Sequence, residues 1–171
     1  MTPWQQDYAT LLARVKGPGL VDPARAAKMS GLELLQGITS GAVPFPPINQ
    51  TLDFYLLEVE KGRAVFQGQP GMKHYNPIST VHGGFHATLL DSAMACAIHS
   101  LIAPGQAYTT LEFKIQLVRR LTERTGPVRA EGKIVASGRR TATSEGRLVD
   151  EQGRLYSHGT TTCLIFDLEG A

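Results

Sequence analysis

The sequence predicts an α+β domain in which an antiparallel sheet of about six strands wraps around one central helix, preceded by an N-terminal helical extension. Most of residues 52–166 alternate between apolar and polar side chains with a period of two, and turn residues separate the alternating segments. Residues 89–101 follow the helical period instead. The chain has 171 residues, 42% of them hydrophobic, so we expect it to bury one core.

The first part of the chain, residues 1–50, is predicted to be the N-terminal extension. Apolar side chains in residues 4–15 recur at helical spacing. A second helix is predicted to begin after Asp22, a capping residue followed by proline at the first helical position, and to reach about Leu35. Residues 37–49 contain two glycines and three prolines among apolar residues and are predicted to form an ordered loop.

The main domain, residues 51–168, is predicted to begin with a hairpin that turns at Lys61-Gly62. The last four strands are expected to form a meander. In the third strand, strict alternation places Ile115 and its apolar neighbours on one face and Thr110 on the other. The predicted strands are Leu52–Glu60, Arg63–Gln69, Thr110–Leu117, Val128–Ser137, Thr141–Asp150 and Arg154–Phe166.

The central helix is predicted from a wide apolar stripe between the second and third strands. Several members of the stripe are small, so other elements can approach the helix closely. The stripe consists of Leu89, Leu90, Ala93, Met94, Ala97, Ile98 and Leu101. We therefore expect this helix to be buried against the sheet.

Composition and charge exclude several classes of protein. Two cysteines, Cys96 and Cys163, are too few for a disulfide framework, so we expect a cytoplasmic protein. No apolar run is long enough to span a membrane, and the first residues do not resemble a signal peptide. The net charge of +2 is too small to predict nucleic-acid binding, although residues 118–154 carry nine basic and five acidic side chains, an excess of +4.

The residues just before the central helix suggest a site for acyl chemistry. Gly83 and Gly84 leave backbone N–H groups unobstructed at a helix N-terminus, where an oxyanion can bind. Asp91 lies seven residues after Gly84, on the same edge of the helix. Asn76, held extended by the following proline, can donate a hydrogen bond to the loop or to a ligand carbonyl. An N–H donor, a carboxylate and an amide are the groups that attack of water on an acyl carbonyl requires.

This pattern resembles the active-site signature of PaaI-like acyl-CoA thioesterases of the hotdog superfamily. The signature places Asn76 six residues before His82-Gly83-Gly84, and Gly83 eight residues before Asp91. The resemblance covers about residues 50–166. It continues in the segments TTLEFKIQLVRR, residues 109–120, and GRLYSHGTTTCLIF, residues 153–166.

The resemblance implies a hotdog fold, assembly into a homodimer or a dimer-of-dimers tetramer, and an active site at the dimer interface. It implies hydrolysis of an acyl-CoA thioester to a carboxylic acid and CoA. Gly83 would supply the oxyanion amide, Asn76 would lie near the thioester carbonyl, and Asp91 of the partner subunit would act as general base or nucleophile. Thr110 best matches the residue that positions the water, and Thr109 is the alternative.

Further contacts with the substrate are expected at the loop and at a basic turn. His82 is interpreted as a cap of the helix start beside Gly84, and both are candidate substrate contacts. Arg139 or Arg140 is expected to contact the phosphates of CoA, since adjacent strand residues face opposite ways. Ser79 departs from the family, many of whose members have glycine there.

No metal is expected, because His82 and His86 have the spacing of a helical metal pair but no evident third ligand. No separate cofactor is expected either, since CoA is part of the substrate that the resemblance implies. His86 is interpreted as a core or interface histidine. Phe45, Phe85 and the proline-rich loop are candidates to line the acyl pocket, but the acyl group itself stays open. Two alternatives are a non-catalytic module that binds acyl-CoA or an acyl carrier, and a hotdog enoyl-CoA hydratase.

Overall fold

The six strands form one antiparallel sheet, as predicted, and a 17-residue helix packs against it. The structure is a computed structural model that describes residues 1–168. The strands are β1 (Phe54–Glu60), β2 (Arg63–Gly68), β3 (Gln106–Leu117), β4 (Val128–Ser137), β5 (Thr141–Asp150) and β6 (Leu155–Asp167). The helices are α1 (Pro3–Arg14), α2 (Pro23–Ala26), α3 (Gly31–Ser40), α4 (Pro47–Leu52) and α5 (Gly83–His99).

The strand order is β1-β2-β4-β5-β6-β3, so the prediction of a four-strand meander is wrong in its first step. β4, β5 and β6 do follow one another, but β3 crosses over to pair with β6. The position beside β4 is taken by β2. As a result, β3 lies at one edge of the sheet and β1 at the other.

The central helix α5 lies directly against the middle strands, with most of its apolar stripe fully buried. Gly132 of β4 makes this approach possible, because a side chain there would collide with the backbone carbonyl of Ala93. Ser144 of β5 donates a hydrogen bond from its hydroxyl to the carbonyl of Met94, 2.9 Å away. The helix is therefore attached to the sheet through its backbone as well as its side chains.

A β-bulge interrupts the edge strand β3 at Leu111. Strict alternation predicts that Thr110 and Ile115 face opposite sides, and this is wrong because the extra residue reverses the alternation. Tyr108 and Thr110 face α5 before the bulge, and Ile115 packs on the core after it.

The predicted helix from Asp22 to about Leu35 is in fact two helices, α2 and α3. Ser30 ends the connection between them and caps α3, since its hydroxyl accepts the N–H of Glu33 while the Glu33 carboxylate accepts the N–H of Ser30. The N–H of Gly31 also donates to the carbonyl of Ile102, 2.9 Å away. The predicted loop at residues 37–49 is partly helical, since α3 continues to Ser40 and α4 begins at Pro47.

The N-terminal extension wraps around the edge strand β1. On the outer face of the sheet, Tyr55 packs against Leu11 and Phe45, while on the inner face Leu35 joins the core around α5. The guanidinium of Arg129 lies 4.3 Å from the centre of the Trp4 ring and helps to hold α1 in place. The division of the chain into an N-terminal extension, residues 1–50, and a main domain, residues 51–168, stays a prediction. Among the helices described, none is long and apolar enough to cross a membrane.

Candidate active site

Asp91 and Thr110 meet at the junction of α5 and β3. The Thr110 hydroxyl donates a hydrogen bond to Asp91 Oδ1, with 3.4 Å between the two oxygens. Burial raises the pKa of the half-buried Asp91 carboxyl group above its usual value, and the hydrogen bond from Thr110 opposes this shift only in part. Thr109 is exposed on the opposite face of the strand. Of the two threonines considered from the sequence, Thr110 is therefore the one that contacts the carboxylate.

At the start of α5, the backbone N–H of the first helical residue, Gly83, has no acceptor among residues 1–168. His82 caps the helix, and its Nδ1 accepts the N–H of Gly84 at 2.8 Å, while its carbonyl accepts the N–H of Phe85 at 3.0 Å. The N–H of Gly83 meets no acceptor within residues 1–168. Gly83 is thus the amide available to an oxyanion at this helix end, whereas the Gly84 amide is occupied by His82.

Asn76 holds the loop that leads to the helix. Its Oδ1 accepts the backbone N–H groups of Ile78 and Thr80, each at 3.1 Å, and its Nδ2 donates to Thr80 Oγ1 at 2.9 Å. Ser79, within this loop, adopts a left-handed backbone with φ of 60°, which explains why glycine suits the position. Through these bonds Asn76 fixes the conformation of the loop. Its contact with a ligand carbonyl stays a prediction.

Asp91 and Gly83 are too far apart within one subunit to act on the same carbonyl group. They are eight residues apart on α5, which corresponds to about 12 Å along the helix axis. Both groups would have to lie within hydrogen-bond reach of one reacting centre or its water. Within one subunit, the Asp91–Thr110 pair and the N–H of Gly83 therefore do not form a single site.

A cavity of about 530 Å³ lies beside Asp91, between α5, β3 and the N-terminal extension. The extension contributes an apolar wall that includes Leu20, Val21, Leu34, Leu35, Ile38 and Ile48. The opposite wall is more polar and includes Asp91, Ser92, Cys96, His99, Tyr108 and Thr110. The volume is in the range of pockets that enclose small molecules.

Several cavity residues differ from those expected. Pro44 and Pro46 line the cavity, as predicted for the proline-rich loop, but Phe45 and Phe85 do not. Sequence reasoning missed Tyr108, which is two residues before Thr110 and so faces the same side of β3. The predicted strand begins at Thr110, so Tyr108 fell outside it and its position on the same face as Thr110 was not recognised. His99 was also missed, although it lies two turns after Asp91 on α5.

Arg139 and Arg140 form the exposed turn between β4 and β5. Neither side chain makes an ion pair within the described part of the chain, residues 1–168. Their turn is next to Thr141, which lies beside Leu164 of β6, and Leu164 in turn lies beside Thr109. The turn is therefore about 10 Å, or two strand spacings, from the segment that carries Thr110.

His86 is buried in the core, as the sequence suggested. Its Nδ1 lies 3.1 Å from the Ser157 hydroxyl, and burial lowers its pKa to about 4. The imidazole is therefore neutral at pH 7. Within residues 1–168, no three His, Cys, Asp or Glu side chains are grouped so that they could bind a metal ion.

An antiparallel sheet that packs around one long central helix is the architecture of a hotdog protein. Comparison with known proteins agrees. The sequence profile of the thioesterase superfamily matches residues 79–157. The chain is 32% identical to the phenylacetic acid degradation protein PaaI from Thermus thermophilus, in the solved structure of a mutant of that protein. That match has a TM-score of 0.62 and covers 69% of this chain and 97% of the other.

Two other relatives extend the comparison. The chain is 27% identical over 118 residues to 1,4-dihydroxy-2-naphthoyl-CoA hydrolase from Listeria monocytogenes, covering 69% of this chain and 94% of that protein. A phenylacetic acid degradation-related protein from Ralstonia eutropha shares the fold, with a TM-score of 0.69 over 80% of this chain and 99% of that chain, at 22% identity. The chain belongs to the thioesterase superfamily, in its PaaI-like hotdog branch, and is a hydrolase by family.

Proposed function

We propose that the protein hydrolyses an acyl-CoA thioester to a carboxylic acid and CoA. The observation that supports this most strongly is the Asp91–Thr110 pair, which lies in the wall of a cavity large enough for an acyl group. The unoccupied N–H of Gly83 supplies the second requirement, a donor for the oxyanion. The names of two relatives, a CoA hydrolase and a thioesterase family protein, also support the proposal.

In the proposed reaction, Asp91 acts as general base or as nucleophile. As a base it removes a proton from a water that Thr110 orients, and the water oxygen adds to the carbonyl carbon. As a nucleophile it attacks the carbon itself, and water then hydrolyses the resulting anhydride. On either route the C–S bond breaks, and the departing sulfur of CoA takes up a proton. The N–H of Gly83 of the partner subunit stabilises the carbonyl oxygen as it becomes negative.

The exposed edge of the sheet supports a homodimer, with a dimer-of-dimers tetramer as the larger assembly. Leu111, Phe113, Leu117 and Val118, on or just after β3, are between 43% and 57% exposed in the single chain. An edge strand with apolar side chains is a natural site for pairing with another copy. Such a dimer brings two α5 helices together and offers the route by which Asp91 of one subunit reaches Gly83 of the other.

Three further assignments belong to this proposal. Arg139 or Arg140 contacts the phosphates of CoA, and Asn76 contributes to the thioester end of the site. The reaction uses no cofactor apart from the CoA of the substrate. The enzyme works in the cytoplasm, which suits its two unpaired cysteines.

The test is thiol release from a panel of acyl-CoAs, followed with a thiol reagent. Release by wild-type protein supports hydrolysis. Thermal stabilisation by acyl-CoA without thiol release would instead identify a non-catalytic binding module. Loss of enoyl absorbance without thiol release would identify a hydratase.

Replacing Leu34 with tryptophan is expected to shift the preference of the enzyme toward shorter acyl groups. Leu34 is half-buried in the cavity wall, so the larger ring reduces the space for the acyl group. Misfit of this size costs about 1–3 kcal/mol, and we expect the ratio of kcat/KM for decanoyl-CoA to that for butyryl-CoA to fall about 5- to 150-fold. The control is Gln36→Trp, on the exposed side of the same helix. An unchanged ratio in Leu34→Trp would show that the acyl group binds elsewhere.

A further inference from the structure

Two polar side chains in the cavity have no role in the proposed chemistry. Tyr108 and His99 both line it, and their rings lie with centroids 5.0 Å apart. Neither side chain forms a hydrogen bond with any group in the described residues 1–168. Polar groups that face a ligand pocket without internal partners are available to bind a polar group of the ligand.

The surroundings of this pair indicate a neutral ligand group. Burial lowers the pKa of His99 to about 4 and raises the pKa of the Tyr108 hydroxyl well above its usual value, so both are uncharged at pH 7. Each can then donate one hydrogen bond and accept another. No lysine or arginine lines the cavity within the described residues, and Asp91 adds negative charge. A carboxylate would have no counter-charge there, whereas a hydroxyl or keto oxygen would be satisfied.

The distance from the reacting centre sets the length of the ligand. Asp91 and His99 are eight residues apart on α5, about 12 Å along its axis. Tyr108 is nearer, since it lies two residues, about 7 Å, from Thr110 on β3. An extended carbon chain advances about 1.2 Å per bond, so about six to ten carbons cover a span of 7–12 Å. The opposing wall, formed by the extension, is apolar except for Asn49, whose amide already donates to the carbonyl of Phe54. This wall suits the methylene chain between the two polar ends.

Building on the proposed function, we propose that the substrate is a medium-chain acyl-CoA whose acyl group carries a neutral oxygen at its far end, bound by Tyr108 and His99. This distal oxygen gives a hydrogen-bond partner to two side chains that have none within residues 1–168. In a pocket without such partners, burying a hydroxyl would weaken binding about tenfold or more. An apolar pocket would bind the unsubstituted acyl chain more tightly than the hydroxylated one. With the distal pair present, we expect the opposite order.

The test compares two non-hydrolysable thioethers, S-decyl-CoA and S-(10-hydroxydecyl)-CoA, by titration calorimetry. We expect wild-type protein to bind the hydroxylated ligand about tenfold more tightly, and Tyr108→Phe to remove at least most of that preference. Tyr108→Phe keeps the ring that packs against His99, so we expect the fold to be retained. The control is Tyr55→Phe, which removes a phenol hydroxyl outside the cavity and should keep the wild-type preference.

Equal or tighter binding of S-decyl-CoA by wild type would overturn the distal site. So would a preference that Tyr108→Phe leaves intact. Because these ligands cannot be hydrolysed, the result is independent of catalysis. A preference with no thiol release from 10-hydroxydecanoyl-CoA would uphold the binding site and contradict the proposed hydrolysis, whereas thiol release without a preference would do the opposite.

Discussion

Replacing Asp91 with asparagine is expected to lower kcat for thioester hydrolysis about 10²–10⁴-fold. Asparagine keeps the shape of the side chain and can accept the hydrogen bond from Thr110, but it can neither remove a proton from water nor attack the carbonyl. The measurement is thiol release across a range of pH. Wild-type kcat should fall as the pH falls through the raised pKa of Asp91, above the usual carboxyl range, and the residual activity of the variant should lack this limb. Equal rates from both proteins would remove Asp91 from the mechanism.

The same substitution is expected to stabilise the protein at pH 7. Burial raises the pKa of Asp91 in the folded state, so the folded protein binds this proton more tightly than the unfolded chain does. Its contribution to stability is present below the unfolded pKa and is lost as the pH rises through the folded pKa. Asp91→Asn avoids that loss. Chemical denaturation should therefore show a higher free energy of unfolding for the variant at pH 7, and a smaller difference from wild type below the usual carboxyl range.

Replacing Gly83 with proline is expected to lower kcat about 10²–10³-fold by removing one oxyanion donor. Gly83 is the first residue of α5, where proline is favoured because its missing N–H has no helical acceptor. His82 already has the extended backbone, with φ of −61° and ψ of 141°, that a residue before proline requires. We therefore expect the variant to fold and to melt near the wild-type temperature.

Gly83→Ala is the matched control, because alanine keeps the backbone N–H. A Cβ at this position would meet only the end of the Leu117 side chain, at 3.1 Å, and that side chain can move. Alanine should therefore lose far less activity than proline. Similar losses in the two variants would show that the space at Gly83, and not its N–H, matters for the reaction.

Local signals explain how much of the fold could be predicted from the sequence. The bounds of β4 and β5 are those predicted, because glycine or proline stands before β4 and between the two strands. The central helix was predicted from its apolar stripe, and the fold class followed. The pairing of β3 with β6 could not be predicted in this way, since it joins residues about fifty positions apart. The bulge at Leu111 could not be predicted either, because no glycine marks its position in the sequence.

The candidate site was only partly predictable. Asp91, Gly83 and Thr110 follow from spacing and from the family resemblance, and the structure brings Asp91 and Thr110 together. The proline-rich loop was predicted to line the acyl pocket, but the rest of the apolar wall was not, since it depends on how the extension folds back on α5. Gly31 allows that contact, because any side chain there would collide with the carbonyl of His99. Close approach of two distant segments leaves no periodic pattern in the sequence.

A heterodimer of Asp91→Asn and Gly83→Pro subunits tests most directly whether two subunits share each active site. The two variants can be co-expressed with different tags and the mixed dimer purified through both. If Asp91 acts with Gly83 of the partner subunit, one of the two sites in the heterodimer is intact, and thiol release should recover to about half of the wild-type rate. If the heterodimer is no more active than the two variant homodimers, the site is not shared in this way.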